Sequence, residues 1–94
     1  SNALNHVERE LALVKIINKG NERIESLRIA QSFRAHIIDS TLNSFIFEIT
    51  GSSSKLAAFI KLMKALGKVE VARSGVSAMS RGNISSLKPR DDLQ

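Results

Sequence analysis

Apolar residues recur along this chain with two different periods. In "LALVKII", residues 11–17, Ala12, Val14 and Ile16 point one way while Leu11, Leu13 and Ile17 point the other, so the segment predicts a strand covered on both faces. Asn18-Lys19-Gly20-Asn21 interrupts it, and Gly20 or Asn21 is placed to open a helix. In "NERIESLRIAQSF" Ile24, Leu27, Ala30 and Phe33 fall at helical spacing, with Glu22 in the first turn, where the helix dipole favours an acid. "HIID", residues 36–39, predicts a short strand and "STLNS" a turn; "FIFEIT" alternates, with Phe45, Phe47 and Ile49 on one face. Gly51 ends that strand, and Ser52 or Ser53 can cap the next helix by accepting a bond from an orphan backbone N–H. Leu56, Phe59, Ile60, Met63 and Leu66 make the strongest helical stripe, which Gly67 stops. "KVEVAR" is the last regular strand, with Val69 and Val71 on one face.

The order strand, helix, strand, strand, helix, strand is that of an α+β, ferredoxin-like βαββαβ sandwich. It predicts a four-stranded antiparallel sheet with two helices on one face and the first and third strands central. Two helices leave the other face open, and the first strand is apolar there whichever way it is turned. Ile38 and Ile46 are placed to join it. An exposed apolar face of this size marks a partner surface. The expectation is therefore pairing with a second copy, face to face or across an edge, with Val14 and Ile16 as candidate contacts.

A chain of 94 residues, 43% hydrophobic, suits one small domain. Without cysteine it has neither disulfides nor thiolate metal sites. No apolar run approaches the roughly 18 residues of a membrane span, and no signal peptide is visible, so a cytoplasmic or organelle-matrix setting is expected. Ser1-Asn2-Ala3 reads as a tag remnant, and the abrupt start after it suggests a domain cut from a longer protein. Residues 6–82 read as the domain and residues 83–94, "NISSLKPRDDLQ", as a polar, frayed tail. The formal charge of +5 is a weak nucleic-acid footprint, since the only aromatics are four phenylalanines.

Little else in the sequence carries chemistry. His6 and His36 stand alone, short of the three or four convergent ligands a metal needs. Asp39, Glu48 and Glu70 sit singly on three strands, where alternation turns them to solvent. "GSSSKL" lacks the glycines of a phosphate loop, and no serine sits on a nucleophile elbow. The reading is of a non-enzyme without cofactor or metal. RNA-recognition motifs share this element order and also carry alternating aromatics on the third strand, but Phe45, Phe47 and Ile49 share one face, as a core requires. Lys61, Lys64 and Lys68 are placed opposite the apolar stripe of the second helix, in a stretch without acids, and form a candidate face for an acidic partner. In "EVARSGVSAMSRG" the strand resumes after a bend at Gly75, leaving Arg73 near the sheet edge and Arg81 and Gly82 at the end of the extension. Both arginines are candidates to hold carboxylates or carbonyls of a neighbouring subunit.

"HVERELALVKI", "FRAHIID", "GSSSKLAAFI" and above all "EVARSGVSAMSRG" resemble, in order and from about residue 6 to 82, the carboxy-terminal domain of the regulatory small subunit of acetohydroxyacid (acetolactate) synthase. The resemblance implies a non-catalytic partner of the large catalytic subunit, raising its activity and supporting feedback by branched-chain amino acids such as valine. Thiamine diphosphate, magnesium and flavin would belong to that catalytic subunit. The feedback amino acid would bind an amino-terminal ACT domain that this sequence lacks, and the family's carboxy-terminal domain is ferredoxin-like and self-associating. A ferredoxin-like nucleic-acid binder and a stand-alone small-ligand sensor are the alternatives.

Overall fold

The computed structural model describes residues 8–75 and the pair Lys88–Pro89. Strands β1 (Glu10–Ile17), β2 (His36–Thr41), β3 (Ser44–Gly51) and β4 (Lys68–Arg73) alternate with helices α1 (Gly20–Ser32) and α2 (Ser53–Lys64) in the predicted order. All strand pairs are antiparallel, in the order β2-β3-β1-β4-β5, where β5 is the two-residue Lys88–Pro89. β1 and β3 are central, as expected. β5 adds a rung beside β4 from within the tail that polarity alone predicted to fray; Pro89 stands on the outermost strand, where a missing N–H is tolerated.

The register decides which face the helices cover. Ala12, Val14 and Ile16 of β1 stand opposite Ile49, Phe47 and Phe45 of β3, and Val14 and Ile16 stand opposite Val71 and Val69 of β4. These residues and Leu56, Phe59, Ile60 and Met63 of α2 form one buried cluster. Val14 and Ile16 are fully buried in it, so they are core residues and not subunit contacts. The physical reason is that both neighbours of β1 turn their apolar residues to that same side, each worth about 1.5–3 kcal/mol when buried. Leu11, Leu13 and Ile17 lie on the opposite face with Ile46, interrupted by Lys15, Glu48 and Glu70. No described helix covers that side.

All four phenylalanines run through the core in one line. Phe45 lies against Phe47 at 5.2 Å, Phe47 meets Phe59 edge-on at 5.9 Å, and Phe59 meets Phe33 at 5.4 Å. The Arg23 guanidinium lies 4.0 Å over the Phe45 ring and donates to the Ser44 carbonyl and the Ser40 hydroxyl, clamping α1 to the β2–β3 hairpin.

α2 behaves as its stripe predicts. The Ser52 hydroxyl caps it, accepting from the Lys55 amide at 3.1 Å. Gly67 is needed for a different reason from a left-handed cap: a Cβ there would collide with the Ile17 carbonyl oxygen, so glycine lets β4 start against the end of β1. α1 turns further than its spacing predicts. Ile24 is 68% exposed, while Ser26 and Ala30 are buried. Ser26 tolerates burial because its hydroxyl donates to the Glu22 carbonyl and accepts from the Asn18 amide, which also donates to the Leu66 carbonyl. α1 ends in a Schellman pattern, Arg34 N–H to Gln31 and Ala35 N–H to Ala30, with Arg34 itself at φ 58°. β2 runs to Thr41, two residues past the sequence estimate, because Ser40 and Thr41 pair with Phe45 and Ser44 around a tight Leu42–Asn43 turn.

Candidate functional site

Arg73 closes β4 on the helix-covered side, opposite Ala12. Its Nε and Nη2 donate to the two carboxylate oxygens of Glu10 at 2.7 and 2.9 Å, and the Ser53 hydroxyl donates to Glu10 at 2.7 Å. The parity that puts Ala12 in the core also puts Glu10 there, at the mouth of β1. With side chains only 11% and 7% exposed, Arg73 and Glu10 form a two-pronged buried ion pair that ties β1, β4 and the first turn of α2 together. Next to it the Ser74 hydroxyl accepts from the Leu11 amide, and the Ser74 amide donates to the Leu11 carbonyl, both at 2.9 Å.

The expectation that Arg73 reaches a neighbouring subunit therefore meets a guanidinium whose fork is engaged within its own chain. Glu10 and Ser53 are the partners the sequence reading missed. The signal was present: a lone acid one turn of alternation before a buried Ala12, and a lone arginine in step with Val69 and Val71, require each other if both face a core.

Beside the pair lies a cleft of about 200 Å³ lined by Ala57, Ile60, Lys61, Lys64 and Arg73. Its floor is apolar and its rim cationic. Lys61 and Lys64 occupy the last turn of α2, where the dipole favours positive charge. They flank this cleft rather than standing opposite the apolar stripe. Lys68 does not share their face, because α2 ends at Lys64 and Lys68 already begins β4, opposite Ile17 on the uncovered side of the sheet.

Gly75 does bend the chain just after β4, at φ 77°. Arg81 and Gly82, and the resumed strand that was to carry them, lie outside the described residues, as does His6. His36 is exposed on β2. Among the described residues no group of three or more His, Asp or Glu side chains could hold a metal ion, and no helix is long and apolar enough to cross a membrane. Phe45 and Phe47 are 5% and 0% exposed beneath the helices, so neither is offered to a base, and the core reading of these rings holds.

Residues 9–82 match the family described as the small subunit of acetolactate synthase. The acetolactate synthase small subunit of Bacillus subtilis (strain 168) is 41% identical over 76 residues, 81% of this chain and 44% of that protein. The isozyme 3 small subunit of Escherichia coli (strain K12) is 47% identical over 79 residues, 83% of this chain and 48% of that protein. A crystal structure of the small subunit from Thermotoga maritima superposes with a TM-score of 0.66 at 40% identity, covering 73% of this chain and 42% of that one. The chain thus spans about half the length of the curated relatives it matches. It belongs to the acetolactate synthase small-subunit family, in the part that corresponds to the carboxy-terminal domain.

Proposed function

We propose that this chain is a non-catalytic regulatory domain that associates with a separate thiamine-diphosphate-dependent catalytic subunit of acetolactate synthase and raises its activity. The observation that carries the reading is the family match over residues 9–82, the whole of the sheet from β1 to β4 and both helices. In the same reading the domain supports feedback inhibition by valine, leucine or isoleucine. The effector itself is assigned to an ACT domain, and no residue of this chain is assigned to it. Self-association uses the sheet face that no described helix covers, with Leu13, Ile17 and Ile46, in the cytoplasm or an organelle matrix.

The test is reconstitution. Acetolactate formation by the purified catalytic subunit is measured with and without the chain, and sedimentation follows both the mixture and the chain alone. A higher turnover together with a co-sedimenting complex is expected. Unchanged turnover and independent sedimentation at micromolar concentrations would remove the reading, and a strictly monomeric chain would remove the self-association part alone.

A further inference from the structure

We propose that the cleft between α2 and Arg73 is a docking groove for an acidic, partly apolar surface segment of the catalytic subunit. The proposal rests on the regulatory reading above and assigns it a surface. Three cations line the groove, and among the described residues only one of them meets an acid. Arg73 is held by Glu10, whereas among the described residues neither Lys61 nor Lys64 makes a side-chain hydrogen bond or ion pair. No acid lies in the sequence between Ser52 and Val69 to compensate them. Two lysines three residues apart on one helix repel each other, which an isolated fold has no reason to favour. The helix dipole explains positive charge in the last turn, but not the apolar floor of Ala57 and Ile60 between that charge and Arg73.

The chemistry of the occupant follows from this lining. The lysine rim takes a carboxylate, and the Arg73 Nη1, which donates to no described residue, faces the same need. The floor takes an aliphatic side chain beside that carboxylate. At about 200 Å³ the cleft is smaller than the roughly 300–1,000 Å³ of pockets that enclose free small molecules. It therefore suits one or two side chains of a protein segment, the exposed Ala57 leaving room for their approach. Opposite charge on such a rim acts mainly on the rate of association and on its salt dependence.

The experiment uses the chain and the purified catalytic subunit of the same organism, with binding followed by biolayer interferometry between low and high salt. Lys61→Glu/Lys64→Glu is expected to weaken binding by about tenfold or more and to remove most of the salt dependence. Ala57→Gln, which fills the groove without changing charge on an exposed helical position, is expected to weaken binding while keeping the salt dependence. His36→Glu, exposed on β2 and separated from β4 by β3 and β1, is the control and is expected to change neither. Circular dichroism and thermal melts establish that each variant is folded, and Ala57→Gln carries the test if the double variant is not. Normal binding by both groove variants, with wild-type activation intact, overturns the groove and leaves the regulatory reading standing. No binding or activation by the wild type overturns both. If 2-oxobutyrate shifts the Lys61 and Lys64 resonances while the variants bind the catalytic subunit normally, the cleft takes a small carboxylate and the proposal is wrong.

Discussion

The two faces of the sheet are built from the same strands yet differ in what holds them. On the helix-covered face Ala12, Val14, Ile16, Phe45, Phe47, Ile49, Val69 and Val71 are all buried. On the other, Leu13, Ile17 and Ile46 are only half-buried and share the surface with Lys15, Glu48, Glu70 and Lys68. β1 read alone is apolar on both sides and cannot tell them apart. Its neighbours can: β3 alternates Phe45, Phe47, Ile49 with Ser44, Ile46, Glu48, and β4 alternates Val69, Val71 with Lys68, Glu70. A face is thus a property of the paired strands, and the covered one is where all three agree.

Adjacent residues of β3 give the largest test of this difference. Phe47→Ala is expected to cost about 3–5 kcal/mol in chemical denaturation, because it empties the centre of the aromatic line. That is a large part of the roughly 5–15 kcal/mol a domain possesses. Ile46→Ala, one residue earlier and half-buried on the other face, is expected to cost about 1 kcal/mol. Equal losses would mean that the uncovered face is packed as tightly as the core.

The next test compares the two kinds of cation in the groove. Arg73→Ala takes the two-pronged guanidinium partner from the buried Glu10 carboxylate and is expected to destabilise the fold by about 3 kcal/mol. Lys61→Ala, on an exposed side chain that bonds no described residue, is expected to stay within about 0.5 kcal/mol. If Arg73→Ala left the melt unchanged while disrupting assembly, the arginine would be a subunit contact after all, as its position at the sheet edge predicted.

These contrasts also mark what the sequence could convey. Element order, strand centrality and the α2 stripe were legible because each rests on local periodicity and on β3 and α2 residues that agree with it. Burial of Val14 and Ile16 required the register between strands, which no single segment contains. The engagement of Arg73 was hidden for the same reason, since Glu10 is 63 residues away in the chain. The turn of α1 was misjudged because Ile24 looks like a core residue and Ser26 does not. Only the hydrogen bonds of Ser26 to Glu22 and Asn18 make its burial tolerable. The end of α1 had no glycine to announce it, because Arg34 adopts the left-handed conformation itself.

Smaller still is the effect expected at the ends of the covering layer. Ser52→Ala removes the acceptor for the Lys55 amide and is expected to lower stability by about 1 kcal/mol, visible as a few degrees in a thermal melt.

The smallest effect belongs to neither face. On the solvent side of α1 the Arg28 guanidinium donates to both carboxylate oxygens of Glu25, and that hydrogen bonding holds the Glu25 carboxyl below the ordinary glutamate range. A carboxyl whose pKa is lower folded than unfolded contributes stability above its unfolded value and loses it as pH falls through the folded one. Because the pair lies at the surface, water and salt screen it, and its effect on the melt is expected to vanish into that of other surface charges. The carboxyl's own titration remains readable by NMR. Its midpoint is expected below that of an ordinary glutamate at low salt and to move back toward it in Arg28→Gln or in high salt. A midpoint indifferent to both changes would mean that the ion pair does not persist in solution. The folding energy would then rest on the covered face alone, with charge contributing through Glu10 and Arg73, where burial makes it count.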